Sequence, residues 1–118
     1  MKMRVISVFL LCLLPASAMA DGFQPVTDKN RFVELIQDKN LKRFGVVLRV
    51  SPEGAIAGSA FGYDITGQWR WENGYFCRTM SYGSGDVPDN CQMVLERDDT
   101  LRFISDRGQG DRADLRLR

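Results

Sequence analysis

From Thr27 to Asn40 the apolar positions recur every three or four residues. Phe32, Leu35 and Ile36, with Val33 beside them, share one face, while Arg31, Glu34, Gln37 and Asp38 share the other. This spacing predicts one short N-terminal helix of about ten residues, with Thr27 as its N-cap and Asn40, which tolerates left-handed backbone, as its stop. The stretch before it, Asp21 to Val26, reads as short, polar and irregular.

Beyond Asn40 the period drops to two, and turn residues interrupt it at short intervals. Strands are predicted over Phe44 to Val50, Ala55 to Phe61, Asp64 to Trp71, Tyr75 to Met80, Cys91 to Glu96, Thr100 to Ser105 and Arg112 to Leu117. Ser51-Pro52-Glu53-Gly54 has the proline and glycine positions of a type I turn. Gly62 breaks the chain, and Tyr82 to Asp89 reads as a loose connection. The expected fold class is mainly β: an antiparallel meander of about seven strands closing into a small barrel, with a two-sheet sandwich as the alternative. The helix would cover an open end or seam with Phe32, Leu35 and Ile36.

Face segregation suggests a register. A two-residue turn at Asn73-Gly74 would set Trp71 against Phe76 and Trp69 against Arg78, placing an arginine among tryptophans. A three-residue loop, Glu72-Asn73-Gly74, sets Trp71 against Tyr75 and Trp69 against Cys77 and keeps Arg70 and Arg78 on the outer face. The second arrangement is expected, with Phe76 as its misfit, directed to solvent or under the helix. The same three-residue loop at Arg97-Asp98-Asp99 sets Leu95 against Leu101 and Met93 against Phe103. In the last strand Ala113, Leu115 and Leu117 face inward, and Arg112, Asp114, Arg116 and Arg118 outward.

The first twenty residues follow another rule. A basic start, Met1-Lys2-Met3-Arg4, precedes the apolar run Val5 to Leu14, and Pro15 to Ala20 ends in a small-x-small pattern. That is the pattern of a secretory signal peptide cleaved after Ala20; the apolar run is too short for a membrane-spanning helix, which needs roughly 20 residues. The expected organisation is therefore residues 1–20 as signal peptide and 21–118 as one disulfide-stapled β domain. Its expected location is the periplasm or exterior of a Gram-negative bacterium, without stable membrane insertion after cleavage.

Charge and composition then narrow the chemistry. The 118-residue chain carries 16 Lys+Arg against 15 Asp+Glu. Losing Lys2 and Arg4 with the leader turns +1 into −1, which gives no bulk electrostatic case for nucleic acid or an anionic membrane. There is no histidine, so Ser-His-Asp and Cys-His catalysis and His-ligated zinc fall away together. Cys12 leaves with the leader. Cys77 and Cys91 remain, and an even pair in a small exported domain predicts a disulfide, worth ~3 kcal/mol for a loop of this size.

Two constellations stand out as candidate binding groups. Trp69 and Trp71, with Tyr75, are the possible ligand-facing residues of an aromatic interior. Arg70 and Arg78, on the expected outer face, and the rim residues Phe61, Tyr63 and Tyr82 are the possible partner-facing ones. Gly83-Ser84-Gly85 and Gly108-Gln109-Gly110 lack the third glycine and the following helix of a dinucleotide fingerprint. The aspartates gather at turns, where their side chains bond nearby amides. No catalytic residue, cofactor or metal is expected.

Several segments together carry a resemblance: Phe23 to Asp28, Gly67 to Arg78 with its Trp-x-Trp, turn and Cys-Arg, Asn90-Cys91-Gln92, and Ser105 to Gly108. Over nearly all of the chain after the leader it resembles a group of small secreted alphaproteobacterial proteins of unknown function, some labelled dihydrodipicolinate reductase. That label implies a glycine fingerprint on a parallel sheet and a catalytic histidine, and neither is in this sequence. The expected role is a non-catalytic binding or interaction module with an envelope protein as partner. A small-ligand carrier with an aromatic interior is the alternative, and a reductase-type oxidoreductase a distant third.

Overall fold

A computed structural model describes residues 21–118; the expected leader, with Cys12, lies outside the described residues. The chain folds as an eight-stranded antiparallel barrel with one added strand. The barrel strands are β2 (Leu41–Arg43), β3 (Val46–Val50), β4 (Ala55–Ala60), β5 (Tyr63–Glu72), β6 (Tyr75–Tyr82), β7 (Gly85–Arg97), β8 (Thr100–Ile104) and β9 (Arg112–Leu117). Each pairs with its neighbour in sequence, and β9 closes the ring on β2. Eight strands leave an interior that side chains just fill, or that holds one small ligand.

The added strand, β1 (Gln24–Val26), corrects the reading of this stretch as irregular. Val94 of β7 pairs with Phe103 of β8 on one edge and with Val26 of β1 on the other, so β1 extends the wall where β6 ends. Phe23, just before it, is fully buried on the outside of the barrel, with the Arg97 and Arg102 guanidinium groups 4.3 and 3.8 Å from its ring centre. Asp21 fixes this clasp: its carboxylate accepts from Arg102 at 3.0 Å and its carbonyl from Arg97 at 2.8 Å.

The helix, α1 (Lys29–Ile36), begins one residue later than expected, with Asp28 as the N-cap accepting from the Asn30 amide at 2.9 Å. Its stripe is as the spacing predicts, with Phe32 and Ile36 buried and Val33 and Leu35 partly so. The chain turns at Asp38, in left-handed backbone at φ 59°, and not at Asn40, which exchanges backbone hydrogen bonds with Arg118. Arg31 grips Glu96 of β7 through two hydrogen bonds, 2.9 and 2.7 Å, and ties the helix across one end of the barrel.

The register differs from the expected one at both tested turns. Asn73-Gly74 is a two-residue turn with both residues at positive φ, so Trp71 pairs with Phe76 and Trp69 with Arg78. Asp98-Asp99 is also a two-residue turn, which sets Val94 against Phe103 and Glu96 against Leu101. Phe76 is thereby a core residue under the helix, and Arg78, expected outside, points inward. A bulge in β7, where Pro88 and Asp89 together oppose Thr79, supplies the acceptor that makes this possible: the Arg78 Nη1 donates to the Pro88 carbonyl at 2.7 Å. The segment expected to be a loose connection is strand almost throughout.

Candidate functional site

The interior has two halves. At the helix end Phe32 sits among Trp69, Trp71 and Phe76, ring centres 5.1 to 5.2 Å away, with Phe103 at 6.4 Å. The Trp69 indole donates to the Ser51 carbonyl and the Trp71 indole to the Thr27 carbonyl. Trp69 and Trp71 do face inward, but Phe32 occupies the space they would offer a ligand. Tyr75 lies on the outer face beside the disulfide, with the Arg107 guanidinium 5.8 Å from its ring centre.

Above this aromatic floor the interior is not filled. A cavity of about 170 Å³ is bounded by Leu41, Ile56, Phe76, Met80, Phe103 and Leu115, with Arg78 and Gln92 as its polar groups. Beside it β5 and β6 approach closely at Gly67, where a Cβ would collide with the Thr79 carbonyl oxygen. Leu48, Arg78, Met80, Gln92 and Ala113, also on the wall, are only half-buried, so the cavity reaches solvent. Burial pushes the Arg78 guanidinium down from its ordinary pKa, and the charge of Asp89 opposes this.

Three neighbouring hairpins end on the side opposite the helix: Phe44-Gly45, Phe61-Gly62 and Gly83-Ser84. They present Phe44, Phe61 and Tyr63 at 92, 65 and 60% exposure, with Tyr82 and Val47 also exposed. The tips are bound to one another. The Phe61 amide donates to the Gly45 carbonyl and the Gly83 amide to the Asp64 carbonyl, both at 2.8 Å. Tyr82 donates its hydroxyl to the Ala60 carbonyl at 3.1 Å, and its ring lies tilted at 60° to that of Tyr63, centres 5.5 Å apart. Phe61 has φ 51°, a conformation costing an ordinary residue about 1–2 kcal/mol, and its ring covers Gly45 so closely that a Cβ there would collide with it.

On the outer wall Cys77 and Cys91, paired across β6 and β7, form the disulfide. Beside it runs a groove of about 300 Å³ whose lining includes Arg70, Arg78, Asp89 and Arg107. Arg70 is bound to Glu72 at 2.9 Å. The groove's far bank is a left-handed turn at Asp106 and Arg107, clamped by Asn90, whose side chain both accepts from the Asp106 amide and donates to its carboxylate. Glu72 with the two cysteines is the one group of three potential metal ligands among the described residues, and the disulfide takes both sulfurs.

The rim thus gathers Phe61, Tyr63 and Tyr82; Arg70 projects from the outer face of the wall, while Arg78, at an inward position opposite Trp69, borders both the interior cavity and the outer groove. Phe44 escaped the sequence reading as a strand residue. Its signal is the Phe-Gly pair it shares with Phe61-Gly62, each pair forming a two-residue turn between alternating strands. No protein-family model, curated protein or solved structure matches this chain.

Proposed function

We propose that this chain is an exported, non-catalytic binding module that docks a protein of the bacterial envelope through the aromatic rim at its hairpin tips. The rim carries the reading: four exposed aromatic side chains at or beside neighbouring hairpin tips, held in fixed relation by hydrogen bonds between the tips. Rigid aromatic side chains supply contact area at low entropic cost, which is why they anchor protein interfaces. A bilayer is the less favoured occupant. Lys42 and Arg43 are offset by Asp64 and Asp86 near the same tips, so anionic headgroups meet no basic cluster.

The signal-like pattern of residues 1–20 supports export, as does the disulfide, a bond that persists in oxidising compartments. The absence of histidine supports a non-catalytic role. All strand pairings of the described residues are antiparallel, unlike the parallel sheet a dinucleotide-binding reductase needs. A small-ligand carrier is the second reading; the cavity favours it, in a place above the tryptophans and not between them.

A photoreactive benzophenone amino acid placed at Phe44 in the producing cell tests the docking surface, with the same group at Glu53, in the turn at the helix end, as control. The expected result is one discrete adduct from position 44, lost when Phe61→Asn and Tyr63→Ser are added, and none from position 53. No adduct from position 44, or equal labelling from both ends, overturns the reading.

A further inference from the structure

We infer that the cavity is a binding site for a small amphiphilic monocarboxylate, its apolar end among Leu41, Ile56, Met80 and Leu115 and its carboxylate on Arg78. The inference deepens the carrier reading and does not depend on the rim.

Size sets the apolar part. A dry void of about 150 Å³ accommodates a benzene-sized molecule, so this one takes a single ring or a chain of about six carbons; its volume is about 170 Å³. A long-chain lipid does not fit, because Phe32 and the two tryptophans block the barrel beneath.

Charge sets the headgroup. Apart from Arg78 and Gln92 the cavity wall is apolar, and it contains no carboxylate. Arg78 uses Nη1 on the Pro88 carbonyl, and neither Nε nor Nη2 has an acceptor among the described residues. Its remaining N–H groups are not sealed away, since no buried side-chain nitrogen among the described residues lacks a partner. Arg78 borders both this cavity and the outer groove, and a half-buried guanidinium with Nε and Nη2 uncommitted matches the two oxygens of a carboxylate. The competing anion is Asp89, exposed on β7, which acts on Arg78 through space without forming an ion pair. Strand alternation puts Arg43 on the same face as Leu41, toward the mouth, so a second cation faces an entering anion. Two arginines of the outer face, Arg70 and Arg102, already hold carboxylates.

The test is a titration of the purified, disulfide-bonded protein with hexanoate, hexan-1-ol and acetate, followed by methyl NMR of Met80 and Ile56. Hexanoate is expected to shift both methyl signals saturably, at least tenfold more tightly than hexanol or acetate. Arg78→Gln should weaken hexanoate at least tenfold and leave hexanol unchanged; Leu48→Phe, which narrows the cavity and keeps Arg78, should exclude both. Equal binding of hexanoate and hexanol overturns the carboxylate assignment and leaves the carrier reading standing. If neither shifts the methyl signals, both fail. The comparison of the three ligands needs no variant, so it decides even if Arg78→Gln does not fold.

Discussion

At the helix end of the barrel, Phe32 brings two tryptophans and two phenylalanines into one cluster, and the indole N–H groups find backbone acceptors. At the hairpin-tip end, two phenylalanines and two tyrosines stand against water, one of them at a backbone angle that ordinary residues avoid. The same residue types serve opposite ends because only one end has a covering element. α1 converts its aromatics into core, each ring contact adding about 0.5–1.5 kcal/mol beyond area burial. The uncovered aromatics contribute little to folding, and their order comes from backbone bonds between the tips and not from burial.

Substitutions that empty the covered end give the largest expected effect. Phe32→Ala should lower unfolding free energy by about 3–5 kcal/mol in urea denaturation; a loss under about 1 kcal/mol would mean that the aromatic cluster does not hold the helix down. Replacing both Cys77 and Cys91 by serine should cost ~3 kcal/mol, the loop-closure scale for a sequence separation of 14. The disulfide lies on the wall between the ends, so urea should still report a single transition.

At the uncovered end Phe44→Ser and Phe61→Asn should each change stability by no more than about 0.5 kcal/mol, while Phe61→Asn should weaken the adduct formed from position 44. Asn tolerates the left-handed backbone of position 61 and offsets the lost ring contact. A rim variant as damaging as Phe32→Ala would erase the distinction between the ends.

Acid gives a modest effect and touches the covered end. Arg31 holds the Glu96 carboxyl below its usual pKa, and Arg102 does the same for Asp114. A carboxyl lowered on folding contributes fully above the ordinary carboxylate range of about 4 and loses its contribution as pH falls through the lowered value. Stability measured at pH 6 and at pH 3 should therefore fall with acid, and Glu96→Gln should remove no more than about 1 kcal/mol of that difference, since the pair is partly exposed.

The sequence made much of the covered end legible. The stripe of Phe32, Leu35 and Ile36, the alternation of Ala113, Leu115 and Leu117, the turn at Ser51–Gly54 and the cysteine pair are local patterns with local causes. The short strands β1 and β2 span three residues each, less than a period-two pattern needs to declare itself. Arg78 was misplaced for a different reason. Segregating polar from apolar faces is sound when no interior acceptor exists, but the bulge at Pro88 provides one, and nothing near Arg78 in the chain announces it. The filling of the tryptophan pair by Phe32 is likewise a contact between a helix and strands far along the chain.

The seam between β2 and β9 also sets the order of events in time. The bonds that complete the wall join distant residues, Leu41 pairing with Leu117 and Lys42 with Arg116, whereas β6 and β7 meet across a two-residue turn. Distant pairings slow folding towards the millisecond-to-second range, so the chain holds a locked hairpin well before it holds a ring. Pulse-labelled hydrogen exchange should protect the amides of β6 and β7 ahead of those of β2 and β9; simultaneous protection would contradict this order. A barrel that cannot close until β9 arrives remains threadable up to that point, the condition that the proposed export would impose on it.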